Sequence, residues 1–356
     1  MRQLRRIILS LRQRRRDRPL HLPDLVRALL NELGGSGQFI GYRAMWRRLR
    51  SYYNLNVTQE ITRIALNLLD PVGVHLRRGG RIIRRAYTCP GPNYLIHLDG
   101  YDKLKPFGIA VHGAIDGFSR KVLWLYAGPS NNNPRFIAYF FLSYIRRLRG
   151  VPKIVRADRG TENCHLRDLQ KALRWHHRDS FRRNKSFMYG RSTSNQRIEA
   201  WWGQLKRTST NFWINLFRGL QDDGSFDNSD QIHVECLRFC FTDLIQSDFN
   251  KVLQEWNQHS IRHQNGVLIP SGKPDEMYYT PEVFGTHDYK MPLLFTQGDI
   301  DEVEMEYSSQ YPPHGCSEEF LAVLNEIFGD IADYQMPSTV EEALFLYRQL
   351  VHILRE

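Results

Sequence analysis

Three acidic residues stand where their side chains could meet. Asp99 and Asp158 each follow a short apolar run that predicts a β-strand, and Glu199 lies in the first turns of a predicted helix. If the two strands pair in parallel, both aspartates emerge at one edge of the sheet, and a helix crossing that edge brings Glu199 to them. Three carboxylates repel one another unless cations bridge them, and hard oxygen ligands suit Mg²⁺ or Mn²⁺. Two such ions, about 3.5–4 Å apart, could activate an attacking oxygen and stabilise the leaving oxygen of a phosphodiester.

The elements around these acids predict an α/β layer fold. Three consecutive strands, a crossover helix, a fourth strand and two further helices follow from the apolar periodicity. The strands are predicted over residues 94–98, 108–115, 122–126 and 153–157, and the helices over residues 134–148, 166–173 and 195–217. The basic stretch over residues 174–194, rich in Ser, Asn and Gly, is predicted to be a mobile loop.

The sequence around each acid is similar to one protein family. The segments are IHLDGYD at residues 96–102, IDGFSR at 115–120, VRADRGTE at 155–162 and SNQRIEAW at 194–201. In this order they resemble the catalytic core of retroviral integrases and the related cut-and-paste transposases, over roughly residues 91–285. The retroviral zinc finger has no counterpart before residue 91, so no zinc site is expected.

The resemblance implies a fold, a site and partners. The fold would be ribonuclease-H-like, a mixed five-stranded sheet with flanking helices, preceded by a helical helix–turn–helix domain. Asp99, Asp158 and Glu199 would be the catalytic residues and would bind two Mg²⁺ or Mn²⁺ ions. Asp116 matches a position that is usually structural, whereas Glu162 and Asp102 are interpreted as solvated or locally hydrogen-bonded acids. Such enzymes act on DNA as homo-oligomers that transfer 3′-hydroxyl DNA ends into target DNA.

Residues 39–69 predict two helices around a tight turn, and they resemble the helix–turn–helix of bacterial insertion-sequence transposases. Thr58 is placed to cap the second helix, and Asp70-Pro71 to end it. The predicted buried stripe of that helix is Ile61, Ile64, Ala65 and Leu68. Polar side chains suited to a DNA groove are predicted on its exposed face: Gln59, Thr62, Arg63 and Asn67.

Further candidate phosphate contacts lie near the acids. Arg183 and Lys185 belong to the basic loop, and Lys206 and Arg207 follow Glu199 on the long helix. The tryptophans at positions 201 and 202 are predicted to pack in the core.

Charge divides the chain unevenly. Residues 1–90 carry a net charge of +14, residues 91–296 carry +8, and residues 297–356 carry −11. The basic N-terminal part of the chain indicates a polyanion-binding region, and the acidic C-terminal part indicates a tail with another role. The predicted regions are a basic helical arm (1–38), a helix–turn–helix region (39–90), an integrase-like catalytic core (91–290) and an acidic helical tail (291–356). A capping box from Ser338 to Glu341 opens a tail helix whose apolar face either packs on the body or binds a protein partner.

Several classes are excluded by the same residues. The longest apolar candidate, residues 136–145, is too short to span a bilayer, and the scattered set of five cysteines favours reduced thiols in an intracellular protein. The location is expected to be nuclear in a eukaryotic host and cytoplasmic otherwise. Two alternatives to a strand-transfer enzyme stay open: a domesticated nucleic-acid-binding protein without that activity, and a simple nuclease on the same fold.

Overall fold

The computed structural model describes residues 20–76, 87–190, 195–262, 270–329 and 334–355. Within them the chain forms two compact units, one of residues 20–76 with 205–216 and one of residues 87–204 with 217–355. The polybasic run of the predicted arm and the arginines between residues 77 and 86 lie outside the described residues. The predicted division into four regions stays a prediction.

The first unit is helical. Its apolar core joins the first three helices through side chains such as Leu29, Met45 and Ile61. Thr58 caps the third of them as predicted, since its hydroxyl accepts a hydrogen bond from the Ile61 N–H at 3.2 Å. Its helices are α1 (Leu22–Leu33), α2 (Tyr42–Ser51), α3 (Gln59–Leu69) and α4 (Pro71–Leu76).

The exposed face of α3 is not quite the predicted one. Thr62 is fully buried, and its hydroxyl donates to the Thr58 carbonyl at 2.9 Å, so the prediction that it faces solvent is wrong. Leu68, predicted to be buried, is 44% exposed, and Leu66 takes its place in the core. The buried stripe of α3 is therefore rotated from the predicted one toward Thr62 and Leu66.

The second unit is built on a five-stranded mixed sheet in the order β3-β2-β1-β4-β5. The first three strands are antiparallel neighbours, whereas β4 pairs in parallel with β1 and β5 pairs in parallel with β4. Its strands are β1 (Leu95–Tyr101), β2 (Ala110–Asp116), β3 (Val122–Gly128), β4 (Ile154–Ala157) and β5 (Phe187–Tyr189). The fold class and the parallel pairing of the two aspartate-bearing strands are thus confirmed.

Helices flank the sheet. The core on one face joins β1 and β4 to α5 and α6 through Ile96, Leu98, Phe141 and Leu166. The remaining helices are α5 (Pro134–Leu148), α6 (Cys164–Leu173), α7 (Gln196–Leu205), α8 (Asn211–Asp222), α9 (Gln231–Gln258), α10 (Pro274–Tyr279), α11 (Gln297–Tyr307), α12 (Glu318–Phe328) and α13 (Val340–Ile353). None of the helices in the described part of the chain is long and apolar enough to cross a membrane.

Two sequence predictions in this unit need correction. The basic stretch after α6 is not only loop, because Phe187–Tyr189 forms the edge strand β5; three residues are too few to give an alternating pattern. The tail capping box lies one residue later than predicted, between Thr339 and Glu342. The tail helix α13 packs on the body, where Tyr347 is buried and donates to the Ser225 carbonyl at 2.8 Å.

Candidate active site

The side chains of β1 alternate between the two faces of the sheet, and one of these faces contributes to the site. Because successive side chains of a strand point to opposite faces, His97, Asp99 and Tyr101 share one face. The intervening Ile96 and Leu98 point the other way, into the core against α5 and α6. A buried apolar face thus holds the strand rigidly while its polar face turns toward α7.

Asp99 is held by a tryptophan of α7. The indole N–H of Trp202 donates to one carboxylate oxygen of Asp99 at 3.0 Å, and the ring also packs on Tyr101 at 5.2 Å between centroids. Gly113, opposite Asp99 in the register of β1 and β2, leaves room for this ring: a β-carbon there would lie 2.8 Å from it. The indole therefore orients the Asp99 carboxylate at the end of β1.

Asp158 lies directly after the carboxyl end of β4. The parallel register pairs His97 with Arg156, and continuing it by two residues sets Asp99 opposite Asp158. Burial, with added repulsion from Asp158 and Glu199, raises the pKa of Asp99 to about 7, although the Trp202 hydrogen bond acts in the opposite direction. The two aspartates thus meet at one sheet edge, as the sequence predicts.

Glu199 comes to this edge from the first turn of α7, where its side chain is exposed. Partial burial and then the Asp158 charge raise the pKa of Glu199. Each of the three predicted carboxylates therefore interacts electrostatically with the other two. The two aspartates therefore share one sheet edge, and Glu199 lies near enough for the Asp158 charge to affect its pKa.

A buried polar network fixes the start of α7. Asn195, just before the helix, accepts a hydrogen bond from the His97 Nδ1–H at 2.7 Å and donates to the Leu98 carbonyl at 2.9 Å. Its own carbonyl accepts from the Glu199 N–H at 3.2 Å. Burial lowers the pKa of His97 to about 3, so the ring is neutral and its Nε2 accepts from the Tyr87 hydroxyl at 2.8 Å. This network connects the strand that bears Asp99 to the helix that bears Glu199.

Three other acids of the same sequence motifs have different environments. Asp116 is fully buried and accepts its hydrogen bonds from the chain around it, which fits the predicted structural role. Asp102 accepts from the Asn131 amide at 2.8 Å and pairs with Lys105 at 3.0 Å. Glu162 accepts from the Asn163 amide at 2.6 Å, and burial followed by repulsion from Asp158 and Asp102 raises its pKa.

The donor chemistry of the three carboxylates fits a divalent cation. Their oxygens are the ligands that Mg²⁺ and Mn²⁺ prefer, and a cation would offset both the burial and the added repulsion that raise the pKa values of Asp99 and Glu199. Within the described ranges, however, no three His, Cys, Asp or Glu side chains already lie close enough to ligate one ion. Of the three side chains, Glu199 is the exposed one, whereas Asp99 and Asp158 are half-buried.

The predicted DNA contacts are divided between the two units. In the first unit, Gln59 and Arg63 are exposed, Asn67 is half-buried, and Thr62 is buried. Arg63 also pairs with Glu60 at 2.6 Å. In the second unit, two basic residues are exposed on the turn before β5, and two more are exposed in the first unit on the π-helical turn Lys206–Thr210 that follows α7: Arg183, Lys185, Lys206 and Arg207.

Sequence reasoning missed two contributors to the site. Trp201 and Trp202 are buried as predicted, yet only the contact with Asp99 shows that Trp202 also orients an acid. The sequence predicts no role for His97 of the IHLDGYD segment, although its position two residues before Asp99 sets it on the same strand face. Its partner Asn195 precedes Glu199 by four residues, which is the helical spacing that could have indicated the link.

Comparison with known proteins identifies the region that contains this site. A family model described as integrase core domain matches residues 86–278, more than half of the chain. The match includes all three acids and the five strands. A search of curated proteins found no match for the chain.

Proposed function

The chain belongs to the integrase core domain family, and we propose that it is a transposase-like enzyme that binds DNA and joins 3′-hydroxyl DNA ends to target DNA. One observation carries the proposal. Asp99 near the end of β1 and Asp158 directly after β4 lie at one edge of the sheet through the parallel register, and the Asn195 network ties the helix turn that bears Glu199 to the same strand. A set of acids suits a reaction whose nucleophile comes from the substrate, because it supplies charge and ligands rather than an attacking side chain.

In this proposal the carboxylates of Asp99, Asp158 and Glu199 hold two Mg²⁺ or Mn²⁺ ions. When bound, such ions supply Lewis acidity toward phosphoryl oxygens. The indole of Trp202 donates to one oxygen of Asp99 and so fixes the orientation of this carboxylate. The backbone link from Asn195 to Glu199 sets the helix turn from which the third carboxylate reaches the site.

Basic and polar side chains would hold the DNA. On α3 we propose groove contacts from three residues, leaving out the buried Thr62: Gln59, Arg63 and Asn67. We also propose phosphate contacts from Arg183 and Lys185 of the second unit and from Lys206 and Arg207 of the first unit. A homo-oligomer that holds two DNA ends completes the proposal.

Strand transfer can be tested directly. The full chain is incubated with Mn²⁺, a supercoiled plasmid, and a 5′-labelled duplex with a free 3′-hydroxyl taken from the DNA that flanks the gene. Label joined to the plasmid supports the proposal. DNA binding without products supports the domesticated nucleic-acid-binding alternative, and nicked plasmid without joined label supports a nuclease.

Asn195→Ala should slow joining about tenfold. The substitution removes the acceptor of the His97 Nδ1–H and the donor to the Leu98 carbonyl, two buried hydrogen bonds worth roughly 1 kcal/mol each. The first turn of α7 then loses its registration with β1, and Glu199 is less often in position. The measurement is the rate of joined product, and the exposed Asn250→Ala on α9 is the control. Unchanged joining by Asn195→Ala would contradict the positioning role.

Magnesium should stabilise the protein in a way that depends on Asp99. Binding at about ten times the Kd contributes roughly 1.4 kcal/mol, which raises Tm by about 3 °C for a unit of this size. The experiment is a thermal shift with and without 10 mM Mg²⁺ at pH 8.5, because burial raises the pKa of Asp99 to about 7 and the ligand must be ionised. Asp99→Asn should lose the shift, while Asp168→Asn on the surface of α6 should keep it. An equal shift in all three proteins would point to binding elsewhere.

A further inference from the structure

An exposed tryptophan lies among cations between α6 and β5. All seven tryptophans are within the described residues, and only Trp175 is exposed, with 47% of its surface accessible. Four basic residues of the same segment are also exposed: Arg178, Arg182, Arg183 and Lys185. Together with Trp175 they are named the Trp175 surface.

The segment is anchored from beneath. Arg174 is fully buried and pairs with Asp179 at 2.6 Å, which neutralises the single acid of residues 174–190. Gln170 of α6 donates to the Ser186 carbonyl at 3.4 Å and to the Pro152 carbonyl at 2.9 Å. Along the described chain, no carboxylate forms an ion pair with the four cations of the Trp175 surface. The four cations are therefore exposed to solvent on a segment that Arg174 and Gln170 hold in place.

Arg183 is stacked on the indole. Its guanidinium lies 4.8 Å from the Trp175 ring, and its Nε donates to the Trp175 carbonyl at 3.3 Å. The backbone of Arg183 has φ of 57°, a left-handed conformation that is unfavourable for a residue with a β-carbon. Arg183 nevertheless adopts this conformation, and its guanidinium stays over the indole of Trp175. The aromatic ring and the positive charge therefore lie side by side on the surface.

The Trp175 surface is separate from the acids. Asp158 lies beyond the carboxyl end of β4, whereas this surface precedes the amino end of β5, and β5 runs parallel to β4. Gln170 contacts both Ser186 of this segment and Pro152, so the segment is anchored beside the start of β4. The two sites are at opposite ends of these strands, with α6, about 15 Å long, between them in the chain.

We propose that the Trp175 surface binds an unpaired DNA strand, with a base stacked on the indole and phosphates on the surrounding cations. An aromatic face can stack on a base only where that base is not already stacked in a duplex, whereas the cations serve any polyanion. The inference rests on the proposed DNA-joining function, to which it adds a second, strand-selective site on the core.

Binding to matched oligonucleotides tests this assignment. The full chain is titrated in EDTA with a fluorescein-labelled 15-nucleotide thymidine strand and with a 15-base-pair duplex, and anisotropy gives both affinities. Trp175→Ala should weaken single-strand binding about tenfold and duplex binding less than twofold. Trp175→Phe, which keeps a ring, should lose less than threefold. Equal losses on both DNAs, or none, would overturn the proposal.

Two further measurements keep the result independent of folding and of catalysis. The single strand should quench tryptophan fluorescence of the wild type, and Trp175→Phe should remove most of that quenching; persistent quenching would contradict the site. Phe345→Ala, at an exposed aromatic of the tail helix, is the matched control and should bind both DNAs normally.

Because EDTA prevents chemistry, the binding assay is independent of strand transfer. Selective loss of single-strand binding in Trp175→Ala, together with no strand transfer by the wild type, would reject only the proposed function. Strand transfer with no selective loss would reject only the Trp175 surface.

Discussion

Asp158→Asn should abolish strand transfer, with a loss of at least about 10³-fold and no change in fold. Asparagine has nearly the same shape as aspartate, but it lacks the anionic oxygen that a divalent cation needs. Removing several kcal/mol of charge stabilisation from the transition state corresponds to about a tenfold loss for each 1.4 kcal/mol. Asp158 is half-buried just after β4, so the amide can be accommodated. The measurement is joined product per unit time in Mn²⁺.

The control separates a local charge effect from a general one. Asp168→Asn makes the same chemical change on α6, where the carboxylate is exposed and paired with Arg167 at 2.8 Å. It should join DNA at the wild-type rate. Joining by Asp158→Asn within about tenfold of the wild type would remove this residue from the catalytic set and with it the proposed arrangement of ligands.

The same variant should leave a spectroscopic mark. The charge of Asp158 raises the pKa of Asp99 and of Glu199, so its removal should lower both values. Carboxyl-carbon NMR titration in the absence of metal would detect the change. Because Asp99 and Glu199 become more ionised, not less, the lost activity cannot be attributed to protonation of the remaining acids.

The sequence predicts the strands and the acids well because each depends on local patterns. Alternation places Asp99 at a strand end, and the register of β1 with β4 then determines where Asp158 emerges. Glu199 follows from a helix that must cross that edge. These positions require only periodicity, chain order and the family resemblance.

The parts that escaped prediction depend on partners distant in sequence. Thr62 has the polar side chain of a surface residue, yet neighbouring helices bury it and its hydroxyl is satisfied by the carbonyl one turn earlier. Trp202 could be predicted as a core residue, but its bond to Asp99 joins positions 103 residues apart. The strand β5 exists because β4 supplies a paired edge, which no three-residue pattern reveals.

Asp116 should show the opposite behaviour from Asp158, a loss of stability rather than of chemistry. One carboxylate oxygen accepts from the Asn93 N–H at 2.8 Å. The other accepts from the N–H groups of Phe118 and Ser119 at 3.1 and 2.7 Å and from the Ser119 hydroxyl at 2.7 Å. Burial raises the pKa of Asp116 to about 6 even though these hydrogen bonds favour the ionised form. The residue closes the turn after β2 and ties it to the segment before β1.

Asp116→Ala leaves three backbone N–H groups without their acceptor inside the protein. Each unsatisfied buried group costs roughly 1–3 kcal/mol, so we expect a loss of about 4 kcal/mol, a large part of the 5–15 kcal/mol that stabilises a typical domain. In a unit of this size that lowers Tm by about 10 °C. Near-UV circular dichroism of the full chain would record the transition, with Ser119→Ala, which removes a single hydroxyl donor, expected to lose only about 1 kcal/mol.

The two aspartates thus make a paired test of the site. Both lie in motifs of the same family pattern, but Asp116 faces backbone donors and Asp158 faces other acids. If Asp116→Ala kept its Tm while joining disappeared, Asp116 would belong to the chemistry and the assignment of the ligands would have to change. If it melts early and the fraction still folded joins DNA at the normal rate, hydrogen bonding makes Asp116 part of the scaffold, and Asp99, Asp158 and Glu199 remain the proposed cation ligands.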